Sequence, residues 1–240
     1  VVPDDATRAA FLELGCTPGR VFVCGHPHFD TVIEARDRLD RVGRSALRAA
    51  GSIRADGRLV VVFAAEISSG LDPTQYRKRP EYTLSGRGTS QARTEIVLEE
   101  FLDAVAGIRP RPYLVLRLHP KNEPGELDGY RTAFDHVSAG PGLHELLYCA
   151  DALVGMTSIV IAEAAIMGTP TLSIVPRRSE SEWSPTVALG ITPCASTPDE
   201  VRAEVGALLA RAAEGHRHAW EPRRGSVQCV ADVVVGSYAR

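Results

Sequence analysis

The chain has 240 residues, of which 44 % are hydrophobic, enough for one large domain or two small ones with a real core. Its formal net charge is −3 at pH 7 and its Lys and Arg residues are scattered, which argues against a nucleic-acid-binding surface. No run approaches the ~20 apolar residues of a bilayer span and no signal-peptide pattern opens the chain, so the expectation is a protein that is not membrane-spanning and is cytoplasmic.

Taken in chain order, Pro3-Asp4-Asp5 opens an amphipathic helix that runs to Leu14 and is closed by Gly15. The chain starts at Val1 without a methionine, so residues 1–19 read as a linker helix arriving from a missing amino-terminal domain, and the chain as a fragment. Apolar, strand-like runs follow at residues 20–24, 59–64, 113–118, 152–155, 171–175 and 190–193. Most are continuously apolar, as strands buried on both faces are. Helical patterns separate them at residues 31–50, 89–106, 143–149, 158–167 and 198–213. This alternation predicts an α/β fold, a Rossmann-like doubly wound parallel sheet over residues 20–224, with a carboxy-terminal helix in residues 225–240.

Two segments break the rhythm. Residues 67–88 carry Gly70, Pro73, Pro80, Gly86 and Gly88, and residues 176–185 carry Arg177, Arg178, Glu180, Glu182 and Trp183. Both read as loops at the carboxyl ends of strands, where ligands of open α/β sheets bind. The five cysteines, Cys16, Cys24, Cys149, Cys194 and Cys229, are widely spaced and odd in number, which predicts reduced core residues.

The densest chemistry lies in residues 151–175. A strand ends at Gly155, Thr157 and Ser158 open a helix, Glu163 lies inside it, and Gly168-Thr169-Pro170 leads to the next strand. The two hydroxyls read either as simple caps or, with the helix-start N–H groups, as ligands for a phosphate. Glu163 is set among Ile161, Ala162, Ala164, Ala165 and Ile166, where an ionised carboxylate needs a partner, and a ribose diol would supply two donors. His119 ends a strand before Pro120 and is expected to face the cleft as a catalytic group. Gly25 and His26 precede Pro27 and His28 at a tight turn suited to phosphate; metal binding by the two histidines is the weaker alternative. Lys121 and Arg177 read as phosphate-neutralising cations or as solvated loop charges. Glu66, after the second strand, faces the same side as a contact to base or sugar. His136, His144, His216 and His218 read as surface or capping residues.

These motifs carry a resemblance. Residues 151–175 resemble the carboxy-terminal domain of GT-B enzymes, in which a Ser or Thr at a helix start meets the nucleotide diphosphate and a Glu of a Glu-Ala pair meets ribose. Arg20-Val-Phe-Val-Cys-Gly-His-Pro-His-Phe-Asp30 is similar to the segment entering that domain in non-hydrolysing UDP-N-acetylglucosamine 2-epimerases, with His26 in place of the usual Asn. Leu116-Arg-Leu-His-Pro-Lys121 is similar to the strand-end His-Pro of that group and of the teichoic-acid glycerophosphotransferases. The resemblance implies one half of a GT-B architecture that binds a UDP-, CDP- or GDP-sugar and uses no cofactor and no metal. The expected activity is glycosyl transfer in cell-surface polysaccharide synthesis. The alternatives are UDP-sugar 2-epimerisation or hydrolysis, and a non-catalytic binding module. Dehydrogenase and Ser-hydrolase readings lack their glycine-rich and Gly-x-Ser-x-Gly signatures.

Overall fold

The computed structural model describes residues 1–51, 53, 55–67 and 77–238. Six parallel strands form one sheet in the order β3-β2-β1-β4-β5-β6: β1 Val60–Ala64, β2 Tyr113–Arg117, β3 His136–Ser138, β4 Ala152–Gly155, β5 Thr171–Ile174 and β6 Cys194–Ala195. This is the doubly wound Rossmann-like order, in which the chain leaves β1 toward one edge and β4 toward the other. Every residue of β1, β2, β4 and β5 is buried, which is why β1 and β4 are apolar without alternation, while β2 ends in Arg117 and β5 carries buried Thr171 and Ser173.

Side chains on successive strand residues point to opposite faces, and the core divides accordingly. Val61 and Phe63 pack with α4, Arg93–Ala106, and α8, Pro198–Ala213, through Ile96, Phe101, Val205 and Leu208. Val60, Val62 and Ala64 pack with α2, Pro27–Val42, α5, Leu143–Cys149, and α6, Ile159–Ile166, through Phe29, Ile33, Leu147 and Ile161.

Several boundaries differ from the sequence expectation. Residues 20–24 form no sheet strand: Pro18–Arg20 is a 3-10 turn, and the segment instead pairs with the chain's own start, with Val2 N–H donating to the Phe22 carbonyl at 2.8 Å and Cys24 N–H to Val2 at 3.0 Å. The helical pattern of residues 31–50 starts at Pro27 and divides into α2 and α3, Arg44–Ala50, because Gly43 adopts φ +85°. Residues 190–193 make a turn onto the Thr186 carbonyl, and the edge strand follows it. Strand β3 went unread because three residues carry no period, and it places His136 in the sheet. Residues 68–76 of the long loop lie outside the described residues; its later part is anchored, with Leu84 buried and Thr83 N–H donating to the Pro176 carbonyl at 2.8 Å.

The cysteine expectation is corrected. Cys24 and Cys229 form a disulfide with Cα atoms 5.3 Å apart, while Cys16, Cys149 and Cys194 are unpaired. The bond joins positions 205 apart in sequence because α9, Ser226–Tyr238, returns to pack on α2. Asp30 caps it, accepting from Gly225 N–H at 3.0 Å and Val227 N–H at 2.8 Å. Gly25, at φ +84°, is the close approach: a Cβ there would meet Ser226 Oγ at 2.2 Å. The amino-terminal α1, Asp5–Glu13, buries none of its residues.

Candidate functional site

The carboxyl ends of β1 and β4, where the sheet order reverses, open into a cavity of about 250 Å³ lined by Glu66, Ile67, Arg93, His119, Thr157, Ser158 and Trp183. Glu66, His119, Thr157 and Ser158 thus come together, as expected from their positions after strands. Ser158 is the N-cap of α6, its hydroxyl accepting from Val160 N–H at 3.3 Å. The carboxylate of Glu66 accepts from Thr157 N–H at 2.6 Å and from the Thr157 hydroxyl at 3.2 Å, so it braces the turn between β4 and α6.

Arg93 holds Glu66 in turn. Its guanidinium is buried, donating through Nη1 to Glu66 at 2.7 Å and through Nε and Nη2 to Glu180 Oε2 at 2.8 and 2.5 Å. Burial alone would push Arg93 down, but the two carboxylates outweigh it and hold the guanidinium above its ordinary value. Arg177 completes the network on the other oxygen of Glu180 at 2.9 Å, with its guanidinium over the rings of Tyr82 and Trp183 at 5.9 and 5.6 Å. Glu66 and Arg177, expected at base or sugar and at phosphate, are engaged instead by Arg93 and Thr157 and by Glu180, and the sequence did not signal Arg93 and Glu180, buried charges that come from α4 and from the turn after β5.

His119 is fixed by its own turn. Lys121 N–H donates to His119 Nδ1 at 3.1 Å, so a neutral ring carries its proton on Nε2 and can donate toward the cavity. Asn122 closes the turn, accepting from His119 N–H at 2.7 Å and donating to the Glu66 carbonyl at 3.1 Å. The Asn three residues after His119 is the signal for this turn. Lys121 itself is exposed on it.

Glu163 lies on a second cluster. It is 4 % exposed, and its Oε1 lies 2.9 Å from His28 Nε2. Its Oε2 lies 3.3 Å from His144 Nε2, a longer ion-pair contact, and has no closer hydrogen-bond partner among the described residues. Burial pushes the Glu163 carboxyl up, and the two imidazoles outweigh it, leaving it below its ordinary value. His144, read from sequence as a surface or capping residue, is corrected: as the second residue of α5 it reaches across to α6, a relation no local pattern carries. His26 is the N-cap residue of α2, stacks on Phe29 at 4.6 Å, and keeps a buried Nδ1 without a hydrogen-bond partner. Among the described residues no group of three His, Cys, Asp or Glu could hold a metal ion.

The structure is similar to UDP-GlcNAc 2-epimerase from Neisseria meningitidis bound to UDP-GlcNAc, with TM-score 0.63, 16 % identity, and coverage of 100 % of this chain and 61 % of that one. It is also similar to the Methanocaldococcus jannaschii UDP-GlcNAc 2-epimerase in complex with UDP-GlcNAc and UDP, with TM-score 0.61, 14 % identity, and coverage of 99 % and 60 %. This chain has the Rossmann-like α/β fold of GT-B-type enzymes. It spans about 60 % of the length of these neighbours. No family model and no curated protein matches the sequence.

Proposed function

We propose that the chain binds a nucleoside-diphosphate sugar at the reversal point of the sheet, as the nucleotide-binding half of a GT-B enzyme whose other half is a further domain. The observation that carries this reading is a buried carboxylate, Glu163, whose Oε2 has only the longer 3.3 Å contact to His144, on the same helix that Ser158 caps beside the cavity. A buried acceptor of this kind calls for a donor, and a ribose diol is one. In this reading Ser158 and the helix-start N–H groups of α6 meet the diphosphate, beside the Thr157 turn whose N–H and hydroxyl Glu66 holds, and Glu163 meets the ribose. His119 stabilises the leaving diphosphate by donating from Nε2; Lys121, Arg177, Gly25 and His26 are not among the residues lining the cavity. Glu66 serves the same site by fixing the Thr157 turn on which the diphosphate would rest.

The reaction proposed is glycosyl transfer in cell-surface polysaccharide assembly, with residues 1–19 as the link to the further domain and α9 as the closing helix. Epimerisation or hydrolysis of a UDP-sugar is the second reading, favoured by the fold likeness to the Neisseria meningitidis and Methanocaldococcus jannaschii epimerases. No helix among the described residues is long and apolar enough to cross a membrane. Saturation-transfer NMR of UDP-GlcNAc with the chain tests the binding. Ribose signals that Glu163→Ala abolishes support it, and the same signals unchanged in that variant remove Glu163 from the site.

A further inference from the structure

We propose that His28 and His144 form a clamp that aims the Glu163 carboxylate, and that this clamp sets discrimination between ribo- and 2′-deoxynucleotides. The inference rests on the proposed nucleotide site and adds two positioning residues to it.

Glu163 sits in an apolar helix whose buried residues include Ile161, Ala162, Ala164, Ala165 and Ile166, so nothing on α6 itself orients its charge. Its orientation comes from two other helices. His28, in the first turn of α2, approaches Oε1 at 2.9 Å, and His144, in the first turn of α5, approaches Oε2 at 3.3 Å. Both approach through Nε2; His28 does so at hydrogen-bond distance, so its neutral ring carries the proton there.

The two contacts are unequal, and the difference points to a ligand. Oε1 is engaged by His28 at 2.9 Å, whereas Oε2 is buried with His144 only at 3.3 Å and no closer hydrogen-bond partner among the described residues. A buried charged acceptor left open in this way is costly unless a donor arrives. The imidazoles are 42 % and 24 % exposed, against 5 % for the carboxylate, so the cluster is reached from solvent on the histidine side. A hydroxyl donor entering there completes Oε2 while the histidines keep the carboxylate ionised and immobile.

The test is affinity measured by calorimetry for whichever of UDP, CDP and GDP binds best and for its 2′-deoxy counterpart, in wild type, His28→Ala/His144→Ala, His28→Gln/His144→Gln and Glu163→Gln. One hydrogen bond to a charged group predicts that wild type prefers the ribonucleotide by ~10-fold or more, and that Glu163→Gln loses the preference. The double Ala variant should drop the preference below ~3-fold while its affinity for the 2′-deoxynucleotide is unchanged, and the double Gln variant, which keeps a donor on each side, should recover it. Equal weakening toward both nucleotides, or full preference in the double Ala variant, overturns the clamp while the nucleotide site stands. Wild type that binds none of the three diphosphates overturns the nucleotide reading, and the clamp with it.

Discussion

Arg93→Met is the substitution whose cost is most directly set by the structure. The Arg93 guanidinium, 4 % exposed, is the counter-charge for Glu180, which is fully buried, and for Glu66 at the cavity wall. Removing it leaves a buried carboxylate under-compensated, a loss of ~3–5 kcal/mol. Arg177 still pairs with the other oxygen of Glu180 at 2.9 Å, which places the expected loss near the lower end, ~3 kcal/mol. For a chain of this size that lowers Tm by roughly 6–12 °C. Arg93→Lys keeps the charge but not the three-donor geometry and should lose about half as much. Urea denaturation at neutral pH, with Arg93→Met/Glu180→Gln as the compensating pair, measures it. A loss under ~1 kcal/mol, or a double variant no more stable than Arg93→Met, refutes the reasoning.

The other predictions concern the site and the closing helix. Because the folded Glu163 carboxyl is held below its ordinary value, its contribution to stability is present above the unfolded carboxylate pKa of ~4.3 and lost as pH falls through the folded value. The wild-type advantage over Glu163→Gln in urea midpoint should therefore shrink between about pH 6 and pH 3, and a constant gap contradicts the pairing. Ser158→Ala removes the N-cap of α6 and should cost ~0.5–2 kcal/mol by thermal melting; no loss would show that the cap is idle. Cys229→Ser should cost ~2–5 kcal/mol, and thiol titration of unfolded protein should give three thiols before reduction and five after. Five thiols before reduction contradict the bond. Trp183→Ala, at a side chain 51 % exposed on the cavity rim, should change stability by under ~0.5 kcal/mol yet weaken nucleotide-sugar binding more than nucleoside-diphosphate binding.

The sequence conveyed the sheet where its physics is local. Strands β1, β2, β4 and β5 are buried on both faces, and a continuous apolar run such as Val60–Ala64 has few other uses. Residues 20–24 carry the same composition, but their backbone partners are at Val2, so an apolar run signals burial and not membership of the sheet. The candidate site was legible through single residues at strand and helix ends: His119 before Pro120, Thr157 and Ser158 before α6, and Glu163 in apolar surroundings that demanded a partner. The partners themselves were not legible, since His28 lies 135 positions from Glu163 and Glu180 lies 87 positions from Arg93. Only the assembled sheet brings those elements to one end, and only the return of α9 onto α2 brings Cys24 to Cys229.

The central claim is a nucleoside-diphosphate site at the reversal of strand order, and calorimetric titration of the chain with UDP, CDP and GDP tests it most directly. The account predicts selective binding of one of them, weakened ~10-fold or more by Glu163→Ala and again by Ser158→Ala in variants whose secondary structure is intact. Binding that both substitutions leave unchanged, or no binding of any of the three, contradicts it.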